Sequence, residues 1–293
     1  MERKRGHDLI DIRGNTVQLE HEGMRLEVER LNGDASMILT VDGKSILIDP
    51  WLASSEVDGH PLFNESWHTE PCSSVSSIPS GISAVVISLP FADHCHLETL
   101  EDLDDDLPIV CSTKTRKVIE GHFGARKKIL VAPKFSAEEN FCELKGTTLR
   151  FSFLDPTGLL DLTHGGIIIQ ARKSQTRKEH ILFAPHGISK DNSHLPLLKQ
   201  ISTWALACIT FSEYALPSFL GGTVNLGLAE AVAVVGPHGL NAKRVIDIHS
   251  ECKATRGLVP MLARTAYPQP DEVREALPSS FVDVQCLQKV VIS

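Results

Sequence analysis

The period of the apolar positions changes repeatedly along the chain, and each change marks an element. Met24-Arg25-Leu26-Glu27-Val28-Glu29-Arg30-Leu31 alternates apolar with charged residues, as a half-buried strand does. Asn32-Gly33-Asp34 is a turn signal. Ser36 to Val41 and Ser45 to Ile48 read as two strands joined by Asp42-Gly43, a hairpin dipeptide. The second ends in Asp49-Pro50-Trp51, where proline stops the ladder. Asp49 either caps that turn or faces a site. Residues 52–80 lose all sustained periodicity. A loop this long in a compact domain serves a site or stays disordered. Trp51, Phe63, Trp67, His60 and His68 suit a lid or pocket wall, although both tryptophans could equally staple the loop to the core. His60 and His68 have no ligand partner nearby in sequence and read as surface histidines.

Strand-type and helix-type periods then alternate. Ala84 to Ser88 is a buried strand, and Leu97 to Leu107 a helix that begins with acids, as its dipole prefers. Leu107 to Cys111 is the next strand. Ser112 is placed to N-cap a helix through Ile119, and Lys127 to Val131 is another strand. The second half repeats the plan more loosely. Phe141–Leu144, Thr148–Leu154, Gly166–Ala171 and His180–Ala184 read as strands. A helix covers His194 to Ile201, and Trp204 to Phe211 is a buried strand. Gly221-Gly222-Thr223 opens a helix from Leu226 to Val235, and Lys243 to Ile248 is a strand that delivers His249. Pro260–Ala266 and Asp271–Leu277 read as helices, and Phe281–Ile292 as an edge strand. This rhythm predicts α/β layering. Residues 1 to about 20 are polar and read as an N-terminal arm or edge strand; residues 21–293 read as one domain.

Composition narrows the function classes. The 293 residues are 42% hydrophobic and 23% charged, ordinary for a soluble domain, and the formal net charge is -8. An acidic chain with only short basic clusters (Arg126-Lys127-Lys128, Arg172-Lys173) argues against nucleic acid as a partner. No apolar run is long enough to span a membrane. The basic N-terminus has no apolar segment behind it and does not read as a secretory signal. Seven scattered cysteines, with no Cys-x-x-Cys, argue against a disulfide framework or a cysteine zinc knuckle. A cytoplasmic, reducing compartment and a small-molecule ligand or substrate are therefore expected.

The candidate chemistry lies where the strand ending at Ser88 gives way to a helix: Leu89-Pro90-Phe91-Ala92-Asp93-His94-Cys95-His96. Such junctions pair a rigid strand with an exposed loop. Asp93 either faces a site or caps the helix, and Cys95 reads as a packing residue. Asp155, His186 and His249 follow other strands, so a sandwich of two sheets could gather these residues on one rim.

This stretch resembles the signature loop of the metallo-β-lactamase superfamily, His-x-His-x-Asp-His after a buried strand. Asp93 and His94 match its last two positions, while Leu89 and Phe91 stand where the first two histidines belong. It is similar to a branch, known from photosynthetic organisms, that also lacks those histidines and keeps Asp-His-x-His. The resemblance implies an αββα four-layer sandwich. It also places His249 at the superfamily's final metal histidine, His186 at the bridging aspartate, and Asp155 near the middle histidine. On that mapping Asp93, His94, His186 and His249 are metal ligands, with Asp93 and His186 also catalytic. Asp49, His96 and Asp155 stand behind them. One zinc, iron or manganese ion is expected at most, because Leu89 and Phe91 offer no donor. The implied function is metal-dependent hydrolysis of a small ester, lactone or phosphoester. The alternative is an inactive member of the fold that binds a ligand or partner, without any metal.

Overall fold

A computed structural model describes residues 16–18, 24–53, 55–136, 140–156, 161–174, 176–250 and 253–292. Most of the expected N-terminal arm lies outside these residues. Its described part is strand β1 (Thr16–Gln18). Strands β2 (Leu26–Arg30), β3 (Met37–Val41) and β4 (Lys44–Ile48) follow as an antiparallel meander. Asp42 and Gly43 turn β3 into β4 with φ of 47° and 78°, the left-handed pair that a two-residue hairpin requires.

The 52–80 stretch is not featureless. β5 (Ser55–Val57) and β6 (Glu65–His68) pair within it. Next come β7 (Ile82–Val86), α1 (Leu97–Asp102), β8 (Ile109–Cys111), α2 (Thr113–Phe123) and β9 (Ile129–Val131). Ser112 caps α2 by accepting from Thr115 N, as its position predicts. α1 is shorter than expected, because Leu103 is already extended and Pro108 disfavours helix just before it.

In the second half β10 (Cys142–Glu143), β11 (Leu149–Leu154), β12 (Gly166–Arg172) and β13 (Lys178–Ala184) are antiparallel. They are followed by α3 (Leu195–Leu198), β14 (Trp204–Ile209), β15 (Glu213–Ala215), β16 (Thr223–Leu226), α4 (Gly227–Val235) and β17 (Val245–Asp247). The chain closes with β18 (Lys253–Arg256), α5 (Leu258–Leu262), β19 (Arg264–Ala266), α6 (Pro270–Ala276) and β20 (Lys289–Ile292). Three expectations change here. Thr223–Leu226 is a strand ahead of α4, not its opening. Arg264–Ala266 pairs with β15 instead of continuing a helix. β20 lies inside a sheet, between β1 and β2, instead of at an edge.

Among the described residues, one sheet has the order β1-β20-β2-β3-β4-β7-β8-β9 and a second β10-β11-β12-β13-β14-β17. Strand alternation divides their side chains between layers. β3 sends Met37, Leu39 and Val41 to the core between the sheets, where they meet Ile167 and Ile169 of β12. Ile38 points the other way, into the layer shared with Leu100 of α1 and Ile119 of α2. Ile168 of β12 likewise packs outward with Leu198 of α3 and Val234 of α4. The result is the αββα sandwich. No helix among the described residues is long and apolar enough to cross a membrane.

One feature of this topology positions the chemistry. β4, β7 and β8 run parallel in the first sheet, and β13, β14 and β17 in the second. Side chains just past the carboxyl ends of parallel strands gather at one edge of a sheet. Asp49 follows β4, Asp93 and His94 follow β7, His186 follows β13 and His249 follows β17.

Candidate metal centre

Those strand ends meet. The imidazole rings of His94, His186 and His249 lie pairwise 4.5–5.0 Å apart between centroids, and all three are buried. Asp93 reaches in beside them, its Oδ1 3.6 Å from His94 Nε2 and its Oδ2 3.7 Å from His249 Nε2. Two of the strand exits need unusual backbone: Asp49 and His249 have φ of 43° and 56°, a region that non-glycine residues seldom occupy.

The outer nitrogen of each ring is held by an oxygen. His94 Nδ1 donates to Asp49 Oδ2 (2.8 Å), and Asp49 also accepts from Ser88 N (2.7 Å) and the Ser88 hydroxyl. His249 Nδ1 donates to Asp34 Oδ1. His186 Nδ1 meets Asn225 Oδ1 at 2.7 Å. The Asn225 amide nitrogen donates to the His249 carbonyl (3.3 Å) and Ser212 Oγ (3.2 Å), which fixes the oxygen toward His186. Acceptor oxygens demand a proton on Nδ1, so in each neutral ring the Nε2 lone pair is the one turned inward. His94 Nε2 and His186 Nε2 lie 3.0 Å apart. Two lone pairs at that distance repel unless a proton or a cation lies between them.

Charge in the cluster follows burial and neighbours. Burial disfavours an imidazolium at His94, but Asp93 and Asp49 outweigh it and raise its pKa. Burial, then His249 and His94, push His186 well below the ordinary histidine value. Burial alone would raise the Asp93 carboxyl, yet Lys253, His94, His249 and His186 hold it well below the usual carboxylate range. Asp34 is likewise lowered against its burial, by His249 and Lys253. The donor set suits a divalent cation: His94, His186 and His249 offer nitrogens within 4.8 Å of one another, with a carboxylate alongside.

Other expected residues fall elsewhere. His96 is the cap of α1, its Nδ1 accepting from Thr99 N (3.2 Å) while Nε2 donates to the Ser55 carbonyl (3.0 Å). Asp93 is therefore not the helix cap. Asp155 pairs with Lys134. It follows β11, two strands from β13, a separation of about 10 Å that a short carboxylate does not bridge. Leu89 is buried, and Phe91 stands edge-on to His186 with ring centroids 6.3 Å apart. His68 is half-buried instead of a free surface residue: its ring lies against buried Trp51 at 3.9 Å and bonds the Trp51 carbonyl.

Three participants carry no local signal in the sequence. Asp34 lies in what reads as a plain turn. That turn is locked by Asn32, whose Oδ1 accepts from Asp34 N (2.9 Å) and Ser36 N (3.1 Å). Asn225 lies in β16. Lys253, at the start of β18, donates to Asp93 Oδ2 (3.0 Å) and Asp34 Oδ2 (3.3 Å).

The cluster opens into a cleft of about 690 Å³, with Asp93, His186 and Lys253 on its wall. Phe63, Phe91, Leu162, Tyr214 and Val259 supply much of its apolar surface. Phe63 belongs to the 52–80 stretch, which lines the cleft through the Asp58–Asn64 turn and Ser66 of β6. β6 is tied to the late strand β18 by pairing of His68 with Lys253.

No family model and no curated protein matches this chain. Solved structures do. An isothiocyanate hydrolase from Delia radicum gut bacteria is similar over 91% of this chain and 99% of its own, at 15% identity and a TM-score of 0.61. Igni18, a metallo hydrolase from the archaeon Ignicoccus hospitalis, covers 92% of this chain and 99% of its own, at 13% identity and TM-score 0.60. The metallo-beta-lactamase fold protein YhfI from Bacillus subtilis covers 91% and 99%, at 11% identity and TM-score 0.51. The chain has the metallo-β-lactamase fold. After β7 the chain reads Leu89-x-Phe91-x-Asp93-His94, so the first half of the loop that carries the sequence resemblance is apolar.

Beside this centre, Glu56 on β5 is buried with both carboxylate oxygens unbonded among the described residues. Burial, then Asp93 and Asp58, push its pKa from 4.5 up to about 8. The unfolded chain releases this proton near the ordinary value, whereas the folded chain keeps it to higher pH. Stability at Glu56 is therefore intact below the unfolded pKa and falls as pH rises toward the folded one. Glu56→Gln is expected to remove that fall. Chemical denaturation at acidic and mildly alkaline pH checks this: the wild type should lose roughly 3 kcal/mol more than the variant across the interval.

Proposed function

We propose that this protein is a hydrolase that uses one metal ion, and that its substrate is a small neutral ester or lactone. The observation that carries the reading is the pinning of all three Nδ1 atoms by Asp49, Asn225 and Asp34, which turns three Nε2 atoms toward one point beside Asp93. Such outer bonds set the ring tautomer and raise ligand basicity. His94, His186, His249 and Asp93 would hold the ion, and zinc, iron and manganese all suit a set of imidazoles with one carboxylate. When bound, the ion supplies Lewis acidity toward a carbonyl oxygen or a water molecule.

The chain's own residues favour an uncharged substrate. Among the described residues no arginine lines the cleft, and Lys253 is engaged by Asp34 and Asp93. Asp58 and Asp161 add carboxylates to the same wall, a field that disfavours a phosphoester. The aromatic and aliphatic wall receives an apolar body by excluding water from it. The described cysteines are free thiols, in keeping with a reducing compartment.

Elemental analysis, thermal denaturation with and without a chelator, and a panel of esters, lactones and phosphoesters test the reading together. Bound metal, hydrolysis of an ester or lactone, and a thermal midpoint lowered by several degrees on chelation are expected. A ligand at a hundredfold its Kd contributes about 2.7 kcal/mol. A folded protein with no metal and no hydrolysis would leave a binding scaffold instead.

A further inference from the structure

We infer that Lys253 is a tethered cation that fills a second cation position, so that the centre accepts one metal ion and excludes another. The inference rests on the metal reading above and deepens it. Two donor sets overlap in the cluster. One is His94, His186 and His249; the other is Asp34, Asp93 and His249, again with atoms within 4.8 Å of one another. The sets share His249, whose lone pair the first set uses, so a second cation would rest on Asp34 and Asp93, and these are already engaged: Lys253 Nζ lies 3.0 Å from Asp93 Oδ2 and 3.3 Å from Asp34 Oδ2. A cation there would compete with the ammonium for the same two carboxylates.

Several features hold the lysine in place. Its side chain is 8% exposed. Its ammonium lies 5.8 Å from the centre of the buried Trp51 ring, a favourable contact for a desolvated cation. Its backbone is anchored by the pairing of β18 with β6, where Lys253 faces His68. A side chain fixed at both ends loses little further freedom when it meets the carboxylates, so it competes well with a diffusing ion.

Charge balance points the same way. Among the described residues, Asp34, Asp49 and Asp93 are carboxylates in direct contact with the imidazoles or with Lys253. Their three negative charges are matched by one ammonium and one divalent ion. Two divalent ions beside Lys253 would leave two excess positive charges in a buried cluster, which is costly. Leu89 and Phe91 remove donors from one part of the site, and Lys253 closes another by supplying the charge itself.

The test is metal stoichiometry, which does not depend on knowing the substrate. Wild type, Lys253→Met, Lys253→Gln and Lys253→Arg are stripped of metal, dialysed against excess zinc or manganese and assayed by elemental analysis, with circular dichroism as a check of folding. Wild type and Lys253→Arg are expected to hold one equivalent; Lys253→Met and Lys253→Gln should rise to two. Glutamine retains polar contact with both carboxylates, so it covers a methionine variant that does not fold. A folded neutral variant that stays at one equivalent, or a wild type that takes two, would overturn the inference and leave the single-metal reading or its two-metal counterpart. A wild type that takes none removes the metal reading itself, and this inference with it.

Discussion

On the one-metal reading, Asp93→Asn is expected to abolish metal binding and to lower thermal stability in one step. The substitution keeps shape and removes charge. Asp93 faces His94, His249 and Lys253 at once, so its charge serves both the imidazole cluster and the ammonium. Without it Lys253 keeps Asp34, and the loss is a fraction of a fully broken buried pair, about 2–3 kcal/mol. Metal affinity should fall by at least about a hundredfold, as one anionic donor becomes a neutral amide. A helix cap would respond differently, because asparagine caps as well as aspartate; here His96 caps α1, so no cap effect offsets the loss. Metal per chain and thermal midpoint are the measurements. Near-wild-type values for both would rule Asp93 out as a ligand.

The second large effect is expected at Asp49, which touches neither the cleft nor the inward nitrogens. Its carboxylate accepts from Ser88 N, from the Ser88 hydroxyl and from His94 Nδ1. Asp49→Asn replaces one acceptor oxygen with a donor NH2. Whichever way the amide turns, donor faces donor on one side. Asparagine tolerates the left-handed backbone at this position, so the variant isolates hydrogen bonding from backbone strain. Freed from its carboxylate, His94 can shift its proton to the inward nitrogen and cease to be a donor to metal. A loss of metal affinity of roughly 10- to 100-fold is expected, typical for an outer partner of a ligand histidine. Unfolding should become easier by about 2 kcal/mol, since a buried donor loses its acceptor. Isothermal titration with zinc and denaturant melts would read both. An unchanged affinity would mean that His94 keeps its tautomer without Asp49.

Much of the sandwich was legible in the sequence because its strands are short apolar runs with clear breakers. Asp42-Gly43 and Asp49-Pro50 mark turns by their own backbone preferences, and β3, β4 and β7 fall where those signals put them. The strand-end residues Asp93, His94, His186 and His249 were legible for the same reason: each follows an apolar run. What escaped was whatever depends on contacts distant in sequence. Asp34 looks like any turn aspartate, yet it bonds a histidine 215 positions later. Nothing around Lys253 distinguishes it from a solvated strand lysine until β18 pairs with β6. Asn225 falls between Gly221-Gly222-Thr223 and the helix expected from Leu226, with nothing local to mark it, and pairing with β15 makes it a strand residue. The 52–80 stretch misled because β5 and β6 are three and four residues long, too short for a period to register. Asp155 was drawn toward the site by its place after a strand; the antiparallel order of β11, β12 and β13 puts it two strands away.

The Asp34–His249 bond has a consequence for how this protein comes into being. It joins residues from opposite ends of the described chain, and Asp49–His94 and His94–His186 span 45 and 92 positions within it. Loops of that size close late, since their ordering entropy must be met before the contacts they bring can contribute. During synthesis on the ribosome His94 and His186 emerge long before His249 and Lys253. The nascent chain therefore has no complete nest for an ion until both sheets have docked. If the proposed ion is bound, its uptake would report the final docking step, and a stalled or clipped chain lacking the last strands would be recognisable by its failure to retain it.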